Sequence, residues 1–358
     1  MTKLHRIGFA CKWINDPSEV GGMKVNAADR DLNGRSTTMR WLREHTAEAE
    51  QRQWDIMNHN TSAAVKMIER VATLPAERRM VRLGSEMLQG YTQEDWKYWW
   101  QQTDVQNHLE RIFAPIGETA RRLDVRLSFH PGQFCVLASE HDVIVDRSIE
   151  EFEYHADMVR WMGYGKSFQD FKINVHISGR RGPDGIKDTL QRLSPEARNC
   201  ITIENDENAW GIDSSLELEK HCALVLDVHH TWCREGQYLR PTDDKFKRII
   251  DSWRGVRPVI HYSVSREEWL PDHCPDTLPD MTQLLNAGLK KAKLRGHSNF
   301  YWNNAVNEYA LSFLPHADLM CESKGKNLAS GQLYEFWKRL EDPVSSVLEL
   351  KANSATYS

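Results

Sequence analysis

The amino-acid sequence predicts an α/β fold, a (β/α)8 TIM barrel with long βα loops on its active face. Eight short apolar runs are spread along the chain, stretches with helical periodicity separate them, and six of the runs end on His, Asp or Glu. Alternating strands and helices favour parallel βαβ units. In a (β/α)8 barrel the carboxyl end of each strand opens into the active site. The six polar residues are therefore expected around one mouth.

The eight predicted strands are rich in Val, Ile and Leu, as buried strands of parallel sheets usually are. In chain order they are Ile7–Cys11, Met80–Leu83, Val125–His130, Phe171–His176, Cys200–Glu204, Ala223–Asp227, Val259–His261 and Ala317–Glu322. The first two strands are identified by their apolar residues alone. The other six also have a metal-ligand residue type at the carboxyl end, which makes the barrel interpretation more specific.

Three long helices are predicted where apolar residues recur at intervals of three or four. They are Thr46–Val71, Asp104–Leu123 and Ser148–Met162. Ser194 is expected to begin a short helix, because Pro195 stands at its first position. Residues 12–45 are polar and rich in Gly, Asn and Arg, and we interpret them as a loop. Residues 264–290 contain three prolines, and we interpret them as an inserted segment.

The length and the cysteines indicate the general class of protein. The chain has 358 residues, which suits a single α/β barrel, so we expect one domain over 1–343 and a flexible tail over 344–358. No apolar run reaches the roughly 18 residues of a membrane-spanning helix, and the N-terminus lacks signal-peptide features. Seven cysteines without Cys-x-x-Cys spacing indicate reduced thiols in a cytoplasmic protein. Cys11, Cys200 and Cys321 are expected to be buried.

The net charge of −5 is weak evidence against a nucleic-acid substrate, because proteins that bind nucleic acids usually have an excess of basic residues. An acidic metal site contributes several of the carboxylates, and bound cations would offset them. DNA binding must therefore depend on local features of this chain.

The residues at the six strand ends predict a site for more than one metal ion. They are His130, His176, Glu204, Asp227, His261 and Glu322. Imidazole and carboxylate together suit Zn2+, Mn2+ or Fe2+, and a carboxylate such as Glu204 can bridge two ions. Two further histidines, His229 and His230, follow Asp227. Strand alternation points His229 to the same side as Asp227, and we favour His230, which can turn inward, as the ligand.

Several motifs resemble those of UV damage endonucleases, barrel enzymes related to endonuclease IV. The segment Ser128-Phe129-His130-Pro131-Gly132-Gln133-Phe134 resembles the family's His-Pro-Gly-Gln-aromatic motif. Its later motifs resemble Glu204-Asn205-Asp206, Asp227-Val228-His229-His230 and Glu322-Ser323-Lys324-Gly325-Lys326, and Asn60 matches an Asn on the first long helix. The resemblance extends over roughly residues 5–340, and its motifs occur in the family's order.

The resemblance implies two or three divalent ions, usually Mn2+, with Zn2+ and Mg2+ as open alternatives. The first ion would be bound by His130, His176 and Glu204. The second would be bound by Glu204, Asp227, His261 and Glu322. The third would be bound by His230 and a histidine after the seventh strand, for which we choose His297 over His273. His297 lies 25 residues before Glu322, a spacing that resembles the family's.

The resemblance also implies hydrolysis of duplex DNA on the 5′ side of pyrimidine dimers and 6-4 products, with 3′-hydroxyl and 5′-phosphate ends. A monomer acting on damaged double-stranded DNA, away from membranes, is expected. The implied catalytic residues are Glu204, Glu322, His230 and Lys324, and the implied DNA-binding residues are Phe9, Gln133, Phe134 and Lys326. Gln133 and Phe134 would wedge into the duplex, where damaged bases cost less to unstack and an aromatic ring fills the vacated space.

Four positions depart from the family's pattern. Phe9 stands where a Tyr is usual, Trp13 where an Asn is expected, and Gln93 or Thr92 where a His follows the second strand. Val259 replaces a Lys that can be carboxylated and bind metal, two residues before the end of the seventh strand. This last replacement weakens the third ion site.

Three other functions are compatible with a metal barrel. An abasic-site endonuclease of the endonuclease IV kind would use much the same ions, but the Gln133-Phe134 pair favours the UV type. A sugar isomerase or epimerase needs neither a basic mouth nor a wedge. A non-catalytic binder of damaged DNA would have a degraded site, which the full set of strand-end ligands argues against.

Overall fold

The computed structural model describes residues 4–20 and 27–342, and the predicted (β/α)8 barrel is confirmed. Eight parallel strands form one sheet, and each predicted strand matches an observed one to within two residues. The strands are β1 (Ile7–Ala10), β2 (Met80–Arg82), β3 (Arg126–Phe129), β4 (Lys172–His176), β5 (Ile201–Glu204), β6 (Ala223–Val225), β7 (Val259–Tyr262) and β8 (Asp318–Cys321).

Helices connect the strands and surround them. They are α1 (Met39–Glu44), α2 (Thr46–Ala72), α3 (Glu94–Trp100), α4 (Thr103–Arg122), α5 (Asp142–Trp161), α6 (Gly182–Arg192), α7 (Pro195–Cys200), α8 (Ile212–Leu216), α9 (Val228–Glu235), α10 (Asp244–Ser252), α11 (Met281–Asn286), α12 (Lys291–Leu294), α13 (Asn304–Leu311) and α14 (Lys326–Glu341). Short 3-10 helices lie at Pro17–Glu19, Ala27–Leu32, Ala76–Arg78 and Glu267–Trp269.

The predicted helices are found, with two differences. α2 and α4 agree with the predicted bounds to within one residue, whereas α5 begins six residues before Ser148. The expected loop over 12–45 also contains α1 and two 3-10 helices, so its interpretation as plain loop was wrong. The sequence had a signal for α1, because the side chain of Thr38 accepts a hydrogen bond from the backbone N–H of Trp41, as a helix N-cap does.

The strands are hydrogen-bonded in the order β6-β5-β4-β3-β2-β1-β8-β7, so the barrel closes between β6 and β7. At this seam the backbone bridge pairs Asp227 with His261, whose N–H donates to the carbonyl of Leu226 at 2.9 Å. Lower down, the N–H of Leu224 donates to Oγ of Ser252, and the indole of Trp253 donates to the Leu224 carbonyl. Side chains at the end of α10 therefore replace a strand partner over part of the seam.

The main apolar core lies between the strands and the helices, whereas the inside of the barrel combines polar groups with a small apolar cluster that includes Met80, Val225 and Met320. Side chains alternate along a strand, so Lys172, Asn174 and His176 of β4 share the inner face. At the entrance of β8, Asp318 is buried and accepts hydrogen bonds from Arg126 at 2.7 Å and Arg257 at 2.6 Å. Charged and polar groups thus lie both at the mouth and at the opposite end of the barrel interior.

The remaining sequence predictions have mixed outcomes. Cys200 and Cys321 are buried as expected, but Cys11 is half-exposed because it lies beyond the end of β1 with a φ of 72°. The segment 264–290 includes α11 and packs on the barrel through the Pro279 carbonyl, which accepts from the indole of Trp232. The predicted tail over 344–358 lies outside the described residues. No helix in the described ranges is long and apolar enough to cross a membrane.

Candidate metal centre

The carboxyl ends of β3, β4 and β5 bring together the residues expected to hold the first ion. Ligand atoms of His130, His176 and Glu204 lie within 4.8 Å of one another. Oε2 of Glu204 is 3.4 Å from Nε2 of His130 and 3.8 Å from Nε2 of His176. The centroids of the two imidazole rings are 5.1 Å apart. The three side chains can therefore converge on one cation.

A second group lies beside it, on β5 to β8. Ligand atoms of Glu204, Asp227, His261 and Glu322 also lie within 4.8 Å of one another. Nδ1 of His261 is 3.0 Å from Oε1 of Glu204 and 3.3 Å from Oε1 of Glu322. Glu204 presents Oε2 to the first group and Oε1 to the second. It is therefore placed to bridge two ions, as a shared carboxylate does in two-metal phosphodiester hydrolases.

Hydrogen bonds on the other ring nitrogen orient four histidines. A carbonyl or carboxylate oxygen can only accept, so Nδ1 donates in each bond. The pairs are His130 with the Pro131 carbonyl at 2.8 Å, His176 with Oδ2 of Asp206 at 3.0 Å, His230 with the Asn205 carbonyl at 3.0 Å, and His297 with the Glu322 carbonyl at 3.1 Å. In the neutral ring Nε2 then has a free electron pair, as metal-binding histidines require.

His261 has the opposite orientation. Its Nδ1 faces the carboxylates, and its Nε2 lies 2.8 Å from Nζ of Lys172. Lys172 is fully buried, and burial lowers its pKa to about 7 even though Glu204 opposes this shift. Glu322 is ion-paired with Arg82 of β2. Two basic residues that the sequence interpretation missed, Lys172 and Arg82, thus contact the ligands from below and from the side.

The electrostatics of the centre fit a divalent cation. Burial opposes ionisation of Glu204, yet His261 and His176 hold its pKa well below the usual value. Burial raises the pKa of Asp227 well above its usual value. Burial also disfavours the charged form of His230, but Asp227 and Glu204 raise its pKa to about 10. Protons on Asp227 and His230 thus offset the negative charge of the carboxylates. Metal binding generally displaces such protons.

Asp227 gives a direct indication of a missing partner. Its Oδ1 accepts the N–H of His230 at 2.7 Å and so caps α9. Its Oδ2 is buried without a hydrogen-bond partner among the described residues. Buried carboxylate oxygens are normally satisfied, and Oδ2 belongs to a group whose other members are also ligand types. The donor set therefore fits Mn2+, Zn2+ or Fe2+.

His229 and His230 lie on α9, so the interpretation of this stretch as a strand was wrong. Asp227 ends the extended segment because its side chain caps the helix. The centroid of the His230 ring is 5.1 Å from that of His176, on the side of the metal groups. The ring of His229 lies beside His297, 5.6 Å between centroids, but its Nε2 is directed at the Arg295 carbonyl at 3.4 Å and not at the carboxylates. Of the two neighbours, His230 is the one at the centre.

The two candidates after β7 also occupy different places. The ring of His297 lies 6.5 Å from that of His230, centroid to centroid, next to the second group. His273 bonds to the Thr277 carbonyl at 2.9 Å and packs its ring against Trp302. His297 is therefore the histidine near the centre, while His273 is engaged within the inserted segment.

The predicted DNA-contacting residues have very different exposures. Phe134 is 84% exposed and, like its exposed neighbour Gln133, lies just beyond His130 at the mouth. Phe9 is 1% exposed and packs its ring edge against Trp13 in the layer between strands and helices. This burial contradicts its predicted role in contacting DNA, because an outward-facing position on β1 directs the ring away from the mouth.

Basic residues that follow β4 and β8 are partly engaged in contacts within the protein. Lys324 and Lys326 are half-buried beside Glu322 at the start of α14. Arg180 is paired with Glu140 at 3.1 Å, and Arg181 and Lys187 are likewise paired with carboxylates on their own helix. Asn60 has a structural place, since its side chain bonds to the backbone of Arg35 and Met87.

Sequence interpretation missed four residues of the centre. They are Arg82, Lys172, Asp206 and Glu207. Charged residues inside apolar strand runs were a usable signal for Arg82 and Lys172, since such residues are rarely buried without a partner. Asp206 and Glu207 directly follow Glu204-Asn205. Asp206 belongs to a motif of the resemblance but was given no role there, and nothing in the sequence distinguished Glu207 from a solvent-exposed acidic residue of a loop.

A sequence model of the family described as UV-endonuclease UvdE matches residues 7–351. The UV-damage endonuclease of Schizosaccharomyces pombe is 29% identical over 266 residues, which are 68% of this chain and 38% of that protein. The UV DNA damage endonuclease of Bacillus velezensis is 29% identical over 179 residues, 46% of this chain and 53% of that protein. The matched part of the chain thus spans about half or less of these relatives.

A solved structure gives the same fold. The crystal structure of SacUVDE aligns with a TM-score of 0.68 at 19% sequence identity, over 94% of this chain and 99% of that chain. At this identity the match supports the barrel architecture alone. Together with the family match over nearly the whole sequence, it leads to one conclusion: the chain belongs to the UV-endonuclease UvdE family.

Proposed function

We propose that this protein is a divalent-metal-dependent DNA repair endonuclease that nicks duplex DNA on the 5′ side of pyrimidine dimers and 6-4 products. Phosphodiester hydrolysis would leave 3′-hydroxyl and 5′-phosphate ends. The observation on which the proposal rests is the position of Glu204, which lies between two His/carboxylate groups at one barrel mouth. Membership of the family, whose relatives are named UV-damage endonucleases, supports the same function.

The residues fit a two-ion centre for phosphate chemistry. His130, His176 and Glu204 would hold one ion, and Glu204 with Asp227, His261 and Glu322 the other. A third ion is implied by the resemblance, with His230 and His297 as its ligands. When bound, such ions activate water and stabilise the charge that develops on the phosphate oxygens. Arg82 keeps Glu322 ionised, because its guanidinium lowers the pKa of this buried carboxyl.

Phe134 is the best candidate for recognising damage. A side chain this apolar and 84% exposed gains free energy by entering a space between bases, where stacking is worth roughly 1–3 kcal/mol per base. A photoproduct reduces the cost of unstacking, so insertion would favour damaged sites. Gln133 adds a side-chain amide that can donate and accept hydrogen bonds with the unpaired bases.

Phosphate contacts would come from the start of α14. This helix has 16 residues and begins at Lys326, next to Lys324 and to Glu322. The free N–H groups at a helix N-terminus attract anions, and the two lysines add positive charge beside the metal groups. We propose Lys324 as a residue that contacts the reacting phosphate and Lys326 as a backbone-phosphate contact. We expect the protein to act as a monomer.

A nicking assay tests this function. Supercoiled plasmid that is UV-irradiated, plasmid that carries abasic sites, and untreated plasmid are incubated with the protein after EDTA treatment and with Mn2+, Mg2+ or Zn2+ added back. We expect nicking of the irradiated plasmid that EDTA abolishes and Mn2+ restores. Preference for abasic sites would instead indicate an enzyme of the endonuclease IV kind. No nicking of any damaged duplex, together with turnover of a ketose, would indicate a sugar isomerase.

Two variants separate chemistry from recognition. Glu204→Ala removes the shared ligand, and we expect nicking to fall by about 1000-fold or more while the fold is kept, since metal ions supply several kcal/mol of transition-state stabilisation. Phe134→Ala should reduce the preference for irradiated over untreated plasmid with little change in metal binding. Leu340→Ala is a matched control, because Leu340 is 47% exposed at the far end of α14.

A further inference from the structure

A basic segment lies immediately before His297 in the chain. It comprises Lys290, Lys291, Lys293 and Arg295, four cations within six residues. Residues 281–307 around it contain no Asp or Glu, although the whole chain has a net charge of −5. Positive charge is thus concentrated locally in a protein that is acidic overall. Such a concentration is typical of a surface that binds a polyanion.

The fold attaches the basic segment to the rim of the barrel mouth. Just beyond the carboxyl end of β7, Ser265 forms an antiparallel bridge with His297. The N–H of Ser298 donates to the Val264 carbonyl at 2.8 Å. Lys293 is four residues before His297, so their Cα atoms are at most about 14 Å apart. The segment is therefore close to the metal-binding groups without belonging to them.

Buried apolar side chains direct the lysines of the segment outward. Leu294 is fully buried, and Leu289 packs against the same small cluster, which includes Trp232. Oγ of Ser265 also donates to the Leu294 carbonyl. The three lysines that lie between the two leucines are exposed. The backbone of the segment is thus held in place while its ammonium groups face the solvent.

The charges of the basic segment are not neutralised within the protein. In residues 4–20 and 27–342 none of its four cations forms an ion pair with a carboxylate. Nζ of Lys291 donates to the Arg234 carbonyl at 3.1 Å, and Nζ of Lys293 lies 4.2 Å from the centroid of the Trp269 ring. The basic residues that follow β4 are, by contrast, paired with carboxylates. The segment can therefore attract an external anion.

We propose that the basic segment binds the phosphate backbone of the DNA duplex beside the cleaved bond, so that this inference rests on the proposed function. A phosphodiester held at the metal groups places neighbouring phosphates of the same duplex over the rim. Duplex DNA carries one negative charge per about 1.7 Å of its axis, so several cations can be matched at once. These contacts would add affinity without reading sequence or damage, which leaves the choice of site to Phe134.

A triple variant tests the proposal. Lys290→Gln, Lys291→Gln and Lys293→Gln together remove three exposed charges, and we call this protein the basic triple variant. Fluorescence anisotropy with Mn2+ present gives its affinity for a short undamaged duplex at several salt concentrations. Each lost phosphate contact reduces the salt dependence, the slope of log K against log salt, by about 0.9. We expect a reduction of about two to three and an affinity at least about tenfold weaker, with an unchanged melting temperature.

A second triple variant is the matched control. Lys166→Gln, Arg198→Gln and Lys220→Gln remove the same charge from exposed positions that precede β4, β5 and β6, at the end of the barrel opposite the mouth. We expect this control to keep the affinity and the salt dependence of the wild-type protein. An equal loss of affinity in both triple variants would overturn the proposal, because the change in net charge alone would then explain it.

Steady-state nicking of irradiated duplex gives an independent measurement. The basic triple variant should raise KM about tenfold and leave kcat unchanged, because its charges act on binding while the chemistry occurs at the metal groups. The control variant should change neither constant. A lower kcat at an unchanged KM would overturn the proposal, since the segment would then act on the chemical step.

Failure of this proposal can be distinguished from failure of the proposed function. Should only the basic triple variant lose DNA affinity while the wild-type protein nicks no irradiated plasmid, the function would be refuted and the DNA-binding segment retained. Should the wild-type protein nick irradiated plasmid while the basic triple variant binds DNA as the wild type does, the segment would be refuted and the function retained. Loss of binding to phosphatidylserine vesicles with unchanged DNA binding would likewise overturn the proposal, because the surface would then serve a membrane.

Discussion

Nζ of Lys172 lies 2.8 Å from Nε2 of His261, inside the barrel and below the metal-binding groups. Outside a metal complex, Nε2 accepts from the lysine while Nδ1 donates to Glu204. With a cation on Nδ1 the ring must carry its proton on Nε2, and that proton needs an acceptor. Burial lowers the pKa of Lys172 to about 7, so its neutral amine can accept at little cost.

Lys172→Met tests this role. Methionine has a similar volume, but it cannot accept the Nε2 proton, and a buried N–H without a partner costs about 1–3 kcal/mol. We expect Mn2+ affinity to fall about 10–100-fold while thermal stability is kept, because a buried charge is also removed. Calorimetric titration and thermal unfolding would measure both. Affinity equal to or tighter than wild type would show that Lys172 acts mainly as a repelling charge.

Asp206→Asn should weaken the first ion by changing the proton on His176. Oδ1 of Asp206 accepts the N–H groups of Asn208 and Ala209, which the asparagine oxygen can still do. The new NH2 group then faces Nδ1 of His176 and favours the ring form with its proton on Nε2, the metal-binding atom. We expect about a 10–100-fold loss of Mn2+ affinity with an unchanged melting temperature. An equal affinity would contradict the carboxylate–histidine arrangement.

Asp318 and its two arginine partners form a charge network at the end of the barrel opposite the mouth. We expect this network to affect only the stability of the protein. Asp318 accepts from Arg126 and Arg257 and is 1% exposed, so Asp318→Ala would leave two largely buried guanidinium groups without their carboxylate. We expect a loss of about 3–5 kcal/mol in the free energy of unfolding, measured with urea. Asp146→Ala is the control, because Asp146 has a 56% exposed side chain paired with Arg192, and should cost less than about 1 kcal/mol.

Glu151 of α5 should make stability depend on pH. Burial raises its pKa to about 7 from 4.5, although Thr92 opposes the shift through a hydrogen bond. The folded protein therefore holds a proton between these pH values that the unfolded chain has lost, and stability falls as pH rises through this window. Glu151→Gln should be more stable than wild type by about 1 kcal/mol at pH 8, after allowance for solvent screening.

Unfolding in urea at pH 4 and pH 8 would check this prediction. The difference between Glu151→Gln and the wild type should vanish at the lower pH, where the carboxyl is protonated in both states. Glu150→Gln serves as the control on the same helix, because Glu150 forms an exposed pair with Lys97 at 3.0 Å. A stability difference for Glu151→Gln that is the same at both pH values would exclude a titration effect.

Much of the fold and part of the site could be predicted from sequence, because strand ends are marked by composition. The ligands on β3 to β8 follow apolar runs, and parallel strands bring their carboxyl ends to one mouth. Phe9 was wrongly predicted to contact DNA, because the alternation of side chains along a strand does not show which face of the strand points into the barrel. The start of α9 was not predicted, because Asp227 was interpreted only as a metal ligand at a strand end. Its side chain also caps the helix.

Contacts that join distant strands could not be predicted. Lys172 and His261 are separated by 89 positions, and nothing in either strand indicates that one side chain reaches the other. The same holds for Arg82 and Glu322, which belong to strands on either side of β1. Such pairs depend on the register of the whole barrel, which no local pattern determines.

The barrel is closed by the same residues that would bind an ion. Asp227 and His261 form the backbone bridge across the seam between β6 and β7, and both belong to the second ligand group. A cation held there would link the end of β6 to the ends of β7 and β8 across this seam, where β6 and β7 share only sparse backbone pairing. The same ion would then serve catalysis and stabilise the closure of the barrel. Removing the ion should allow the seam to open more often, and hydrogen exchange should speed up first at the amide of His261, which donates to the Leu226 carbonyl across the seam.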